Sequence, residues 1–167
     1  GYDPDRARAL LAEAGYPNGF AMNIEVATDT TTPDSLMYQK VEQDLEAVGI
    51  DVTLRAIPFS DYSRKYASSD WGDADAFNLI WNNSAFQDPI RPIEYYSCLR
   101  ATPFFCAPEL IEPIKRSNAE IDSQKRDLLL QDISAQLHAL APAIWLTNAV
   151  YTIGYNDRIA DFVSRPT

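Results

Sequence analysis

An indole, a run of small polar side chains and a carboxylate crowd one stretch of this chain, Trp81-Asn82-Asn83-Ser84 followed by Asp88-Pro89. Amides and a hydroxyl beside an aromatic face can stack on and hydrogen-bond a polar solute. The same residues fit a plainer arrangement, with Trp81 in a core and the asparagines capping a turn. Cys98 and Cys106 lie eight positions apart in the proline-rich segment that follows. In an acidic chain with one histidine they fit a disulfide better than a metal site, two buried free thiols being the other reading. Closing so short a ring would contribute about 2.5 kcal/mol. A bridge would also place the protein in an oxidising compartment, such as a bacterial periplasm or the cell exterior.

Other chemistry finds little support. His138 is the single histidine, within an apolar-striped helix and with only Asp132 near it at a ligand-like spacing, so it reads as a packed or surface helix residue and no histidine-dependent triad is expected. The six glycines are scattered as turn or cap residues, without a phosphate-cradling cluster. Asp70, Asp73 and Asp75 lack the further carboxylates and central glycine of a calcium loop and read as a solvated turn. Carboxylate pairs carry no weight among 24 acidic residues. No catalytic residue, metal or cofactor is expected.

The elements that must position these residues are legible from caps and periodicity. Asp3 and Pro4 open a helix whose stripe is Ala7, Leu10, Leu11 and Ala14, and Gly15 closes it. Met22, Ile24 and Val26 alternate as a half-buried strand should. Pro33 begins a second helix on Met37, Val41, Leu45 and Val48; Gly49 stops it before a β-branched strand from Ile50 to Leu54. A helix between two strands favours a parallel crossover. A short helix from Phe59 to Ser69 and a third strand from Ala76 to Trp81 follow, and in open α/β sheets ligands bind beyond the carboxyl ends of the strands. The span from Asn82 to Pro108 reads as long and irregular. Helices are expected from Pro108 to Glu120 and from Ser123 to Leu140, the latter on Leu130, Ile133, Leu137 and Leu140, and the tail Ala143 to Tyr155 reads as two strands or one bent one.

With 167 residues, 46% hydrophobic and 23% charged, the chain can bury one real core, and without repeats or linkers it reads as a single α/β domain over 1–167. Fourteen Lys plus Arg against 24 Asp plus Glu, a net charge of −10, argue against nucleic acid and against an anionic membrane surface. No 18 apolar residues run together, and the first twenty residues lack the pattern of a signal peptide. The chain opens on Gly1, inside a helix start and without an initiator Met, so it is read as a piece of something longer.

Five segments, in order, resemble a known family. Tyr2-Asp3-Pro4 through Ala14-Gly15-Tyr16-Pro17-Asn18-Gly19-Phe20 resembles the opening of the last large domain of the peptide-, nickel- and oligopeptide-binding proteins of bacterial ABC importers, the extracellular solute-binding proteins of family 5. Leu45 to Val52 resembles their helix-to-strand step; Trp81 with Asp88-Pro89, the Lys125-Arg126 helix, and Ala141-Pro142-Ala143-Ile144 also match.

The resemblance implies one lobe of a type II, periplasmic-binding-protein-like fold with a mixed, mostly parallel sheet flanked by helices. It implies a binding protein rather than an enzyme: a periplasmic or otherwise extracytoplasmic monomer, lipid-anchored in some intact forms, that closes on a small-molecule solute and delivers it to ABC permease subunits. It also implies a Cys98–Cys106 disulfide. Trp81 would pack on the solute, Asn82, Asn83 and Ser84 would hydrogen-bond it, and Phe86 and Tyr96 are further candidates for the cleft. Where peptide-binding members carry an Asp three residues after the strand-end Trp, to pair with an α-ammonium, this chain has Ser84, or Asn83 if the gap shifts by one. The solute classes that remain are an oligosaccharide, an opine, or a peptide held through Asp88. The alternative reading is a ligand-sensing module of a transcriptional regulator or signalling receptor.

Overall fold

The computed structural model describes residues 1–28, 35–80, 88–147, 156 and 158. The chain forms two compact units, Gly1–Leu79 and Ile80–Thr167. The architecture is α/β, with a parallel sheet flanked by helices.

In the first unit, α1 (Pro4–Glu13) starts where the Asp3 carboxylate accepts from the Arg6 amide at 2.9 Å. Its stripe is less buried than its spacing suggests: Leu10 is exposed, and Leu11 makes the contact with the core. β1 (Phe20–Thr28), α2 (Ser35–Glu46) and β2 (Ile50–Pro58) form the expected parallel crossover, with Phe20 opposite Ile50 and Thr28 opposite Pro58. β3 (Ala76–Phe77) pairs on the other side of β1, giving the order β2-β1-β3. One sheet face buries Ile24, Val26, Ile50 and Val52 against Tyr38 of α2, with Leu11 and Leu45 packed around them. α3 (Phe59–Ser68) packs against β1 and β2, and its Tyr62 sits edge-on to Phe77 of β3 and to Trp71. The half-buried reading of β1 is therefore corrected, because Glu25, pointing away from the apolar face, is only 3% exposed.

The third strand is also shorter than expected. It pairs only over Ala76–Phe77, because side chains occupy the ladder on either side: Asp75 Oδ2 accepts from the Asn23 amide at 2.8 Å and Asn78 Oδ1 from the Ala27 amide at 2.8 Å.

The second unit is helical among its described residues. α4 (Ile90–Glu94), absent from the sequence reading of this span, is followed by a tight turn at Pro108–Leu110, α5 (Ile111–Ala119) and α6 (Ser123–Leu140). The single helix expected over Pro108 to Glu120 thus begins as a 3₁₀ turn. Ile93, Tyr96, Ala107, Leu110, Ile114, Ile133 and Leu137 form the core, with Leu140 packed against it. Ala141 closes α6 at φ 48. Residues 143–147 carry no strand, correcting that part of the tail, and 148–155 lie outside the described residues, as does Pro33.

β1 and β2 start at a close approach of two backbones. A Cβ on Gly19, whose φ is +73, would land on the Gly49 carbonyl, whereas one on Gly15, at φ +90, would meet nothing within 4 Å. Gly15→Ala should cost about 1–2 kcal/mol, the penalty of left-handed backbone alone. Gly19→Ala should cost roughly 3 kcal/mol or more because strain and collision add. Urea denaturation followed by circular dichroism checks the order, and equal losses would refute the close-approach account.

Candidate functional site

A sheet of order β2-β1-β3 reverses its direction of winding at β1, so the carboxyl ends of β1 and β3 flank a switch point, the position where α/β sheets bind ligands. Asn78 stands at that edge. Its amide donates to the Glu25 carbonyl at 3.1 Å, and its Oδ1 accepts from Ala27. Its Nδ2 donates to the Tyr38 hydroxyl at 3.1 Å, while its carbonyl accepts from the Tyr62 hydroxyl at 2.6 Å. Three residues on comes Trp81. Trp81, Asn82, Asn83, Ser84 and Phe86 lie outside the described residues.

Asp88, the remaining candidate, is bonded within its own unit. Its carboxylate accepts two bonds from Arg126 Nη2, at 2.9 and 3.2 Å, and one from the Ile90 amide at 3.0 Å. The pair joins the start of α4 to α6, and Arg126 Nε reaches the Ser117 carbonyl at 3.1 Å. Tyr96 is not on a free surface: it is 8% exposed, edge-on to Phe104 and Trp145, and burial pushes its hydroxyl pKa up.

Cys98 and Cys106 are joined, with Cα atoms 4.6 Å apart, and no described cysteine is free. The ring they close brings Tyr95 against Phe104 at 4.9 Å between centroids, with the Arg100 guanidinium over the Tyr95 ring. The three aspartates of the acidic turn serve three different partners: Asp70 accepts from Gly72, Asp73 from Arg55, and Asp75 from Asn23. Among the described residues no three His, Cys, Asp or Glu side chains gather as metal ligands, and His138 is exposed on α6.

Sequence reasoning passed over Glu25. Its carboxylate accepts from Lys65 Nζ at 2.6 and 2.7 Å and lies 3.6 Å from Arg55 Nη2, and Arg55 in turn holds Asp73 at 3.0 and 3.1 Å. The available signal was a carboxylate between Ile24 and Val26 in a strand; Asn78, two residues past Ala76, offered a similar one.

Residues 1–102 match the model of the bacterial extracellular solute-binding proteins, family 5, middle region. Over 99% of its length the chain is 22% identical to the glutathione-binding protein GsiB of Pectobacterium atrosepticum, and it spans about a third, 34%, of that relative. A dipeptide-binding protein from a Pseudoalteromonas species, solved with Met-Leu, superposes with a TM-score of 0.69 at 23% identity, covering 84% of this chain and 29% of that one. The periplasmic binding protein AgaA of Agrobacterium tumefaciens, solved with agropinic acid, superposes at 0.66 and 23% identity, covering 83% and 28%. These likenesses bear out the α/β binding-protein fold.

Two electrostatic outcomes follow from the second sheet face. Lys65→Met leaves the Glu25 carboxylate buried with Arg55 alone and should cost roughly 3 kcal/mol, most of it recovered in the Glu25→Leu/Lys65→Met double variant. If the double variant is no more stable than the single one, buried charge is not the cause. The Arg55 guanidinium, bonded to Asp73, holds that carboxyl below its ordinary value. A lowered folded-state pKa contributes stability above the unfolded value, about 4, and loses it as pH falls through the folded one. The stability gap between the parent and Asp73→Asn should therefore be present at neutral pH and close below about pH 4. A gap constant down to the acid transition would show that Arg55 does not act through charge.

Proposed function

Because the chain belongs to the bacterial extracellular solute-binding proteins of family 5, we propose that it is one lobe, over 1–167, of a receptor that captures a small solute and delivers it to ABC permease subunits. The observation that carries this reading is the switch point at β1, with Asn78 at its carboxyl edge. Trp81 stacks on the solute, and Asn82, Asn83 and Ser84 hydrogen-bond it. Hinge closure against the receptor's other lobe then excludes water. Asp88 contributes its carboxylate only by sharing it with Arg126, and this favours neutral or zwitterionic solutes over strongly cationic ones. Peptide-like solutes, opines and oligosaccharides are the classes that fit, the first two matching the ligands named for the solved relatives.

The disulfide supports an extracytoplasmic site of action, periplasmic or lipid-anchored. No helix among the described residues is long and apolar enough to cross a membrane. The receptor acts by binding rather than by chemistry, and as a monomer.

A thermal-shift screen of the intact protein with Met-Leu, glutathione, agropinic acid and raffinose tests the reading. A true solute at a hundred times its Kd stabilises by about 2.7 kcal/mol. Trp81→Ala should abolish the shift; a variant that responds like the parent would remove Trp81 from the site.

A further inference from the structure

Tyr16-Pro17-Asn18-Gly19, between α1 and β1, is a turn closed by the Gly19 amide, which donates to the Tyr16 carbonyl at 2.9 Å. Pro17 holds its second position, and among the described residues only Ser69 and Ala141 carry a side chain at positive φ, so the turn is of type I, with Asn18 at about φ −90°, ψ 0°. Asn18 is exposed and precedes the only glycine in the sequence that follows an asparagine. With no Cβ on residue 19 to crowd the approach, that pairing is open to attack of the Gly19 nitrogen on Asn18 Cγ. The new N–Cγ bond closes a cyclic imide, the Cγ–Nδ2 bond breaks, and Nδ2 leaves as ammonia with the proton of the Gly19 amide. Water then opens the ring. Opening at Cγ gives aspartate; opening at the Asn18 main-chain carbonyl gives isoaspartate, in which the main chain runs through the side chain and is longer by one methylene.

The closed turn blocks the first step. At that ψ the Gly19 nitrogen eclipses the Asn18 nitrogen instead of lying beside Cβ, its N–H is engaged by Tyr16, and the Tyr16 ring is held edge-on to Phe20 at 5.1 Å. The isoaspartate product, in turn, has no room to re-close it. A Cβ on Gly19 would already lie 1.7 Å from the Gly49 carbonyl oxygen, and the added methylene enters the chain directly before that contact. Phe20, the next residue, opens the β1 ladder opposite Ile50. We propose that Asn18-Gly19 is a latched deamidation site: the turn protects it, local opening exposes it, and isoaspartate then bars re-closure and unpins the start of β1. The first unit thus carries a chemical limit on its own lifetime, set by how often one turn opens.

The test incubates the intact protein at mildly alkaline pH and follows residue 18 by peptide mapping with isoaspartyl methyltransferase labelling. The parent unfolded in urea should convert at least about fivefold faster than the folded parent, the ratio expected from loss of one net hydrogen bond. Folded Pro17→Ala, which frees the backbone of the turn and leaves Asn18-Gly19 in place, should convert roughly two- to fivefold faster than the folded parent. Ile133→Val, a core change in the second unit, should leave the rate unchanged; an acceleration equal to that of Pro17→Ala would assign the opening to global unfolding and overturn the latch. Equal rates for the folded and unfolded parent, or no conversion of the unfolded chain at residue 18, overturn the proposal as well. Freshly purified Asn18→Asp, which adds the same charge on a normal main chain, should unfold at the same urea concentration as the parent. The aged isoaspartate fraction, separated by chromatography, should unfold at a lower one, and an isoaspartate fraction as stable as Asn18→Asp overturns the bar to re-closure.

Discussion

A strand with partners on both edges and cover on both faces has nowhere to send a charge. β1 is in that position: β2 and β3 take its edges, the apolar layer with Tyr38 takes one face, and α3 lies over the other. Glu25, in its middle, is a buried carboxylate, and the elements that bury it bring cations to it. Lys65 arrives on α3 and Arg55 on β2, and Arg55 then engages Asp73 in the turn before β3. Helix, neighbouring strand and turn are thus placed by a single carboxylate, while the opposite face is held by burial of branched side chains. Replacing that carboxylate with an apolar group would ask less of its neighbours and also specify their positions less.

What could be read in advance was what depends on neighbours in sequence. The Asp3 cap, the Gly49 stop, the β1-α2-β2 crossover and the Leu130, Ile133, Leu137 stripe of α6 are local patterns, and each is present. What escaped depends on partners far along the chain. Glu25 looks like a solvent-facing strand residue until Lys65, forty positions away, is brought over it. Ala76 to Trp81 reads as one strand unless one knows that the Ala27 amide will donate to the Asn78 side-chain oxygen in place of a carbonyl. The helix over Ile90–Glu94 is too short to show a period of its own, and the Asp88 carboxylate accepts from its first amide, Ile90.

The site was legible in kind more than in detail. A Trp followed by amides at the expected strand end directed attention to the carboxyl edge of the sheet, and the strand order makes that edge a switch point. A carboxylate beside a turn carries no sign of its partner in the sequence, and Arg126, 38 positions on, shares that of Asp88. Tyr96, close to the segment in sequence, is core for the same reason that Leu110 and Ile133 are. The family match and the superposed relatives agree on the fold, while the ligands of the two solved relatives, agropinic acid and Met-Leu, differ.

The two cysteines divide the assembly of the molecule in time. A ring of eight positions closes by motions of about 10–100 ns, so bond formation waits on an oxidant and not on a conformational search. Within this chain the pairing has no rival, and disulfide shuffling has nothing to correct. Ile24 and Ala76, by contrast, must find each other across half a hundred residues before β1 has its second neighbour. The two thiols of the helical unit can therefore meet while the sheet is still three separate strands, and the covalent stitch follows when an oxidant arrives.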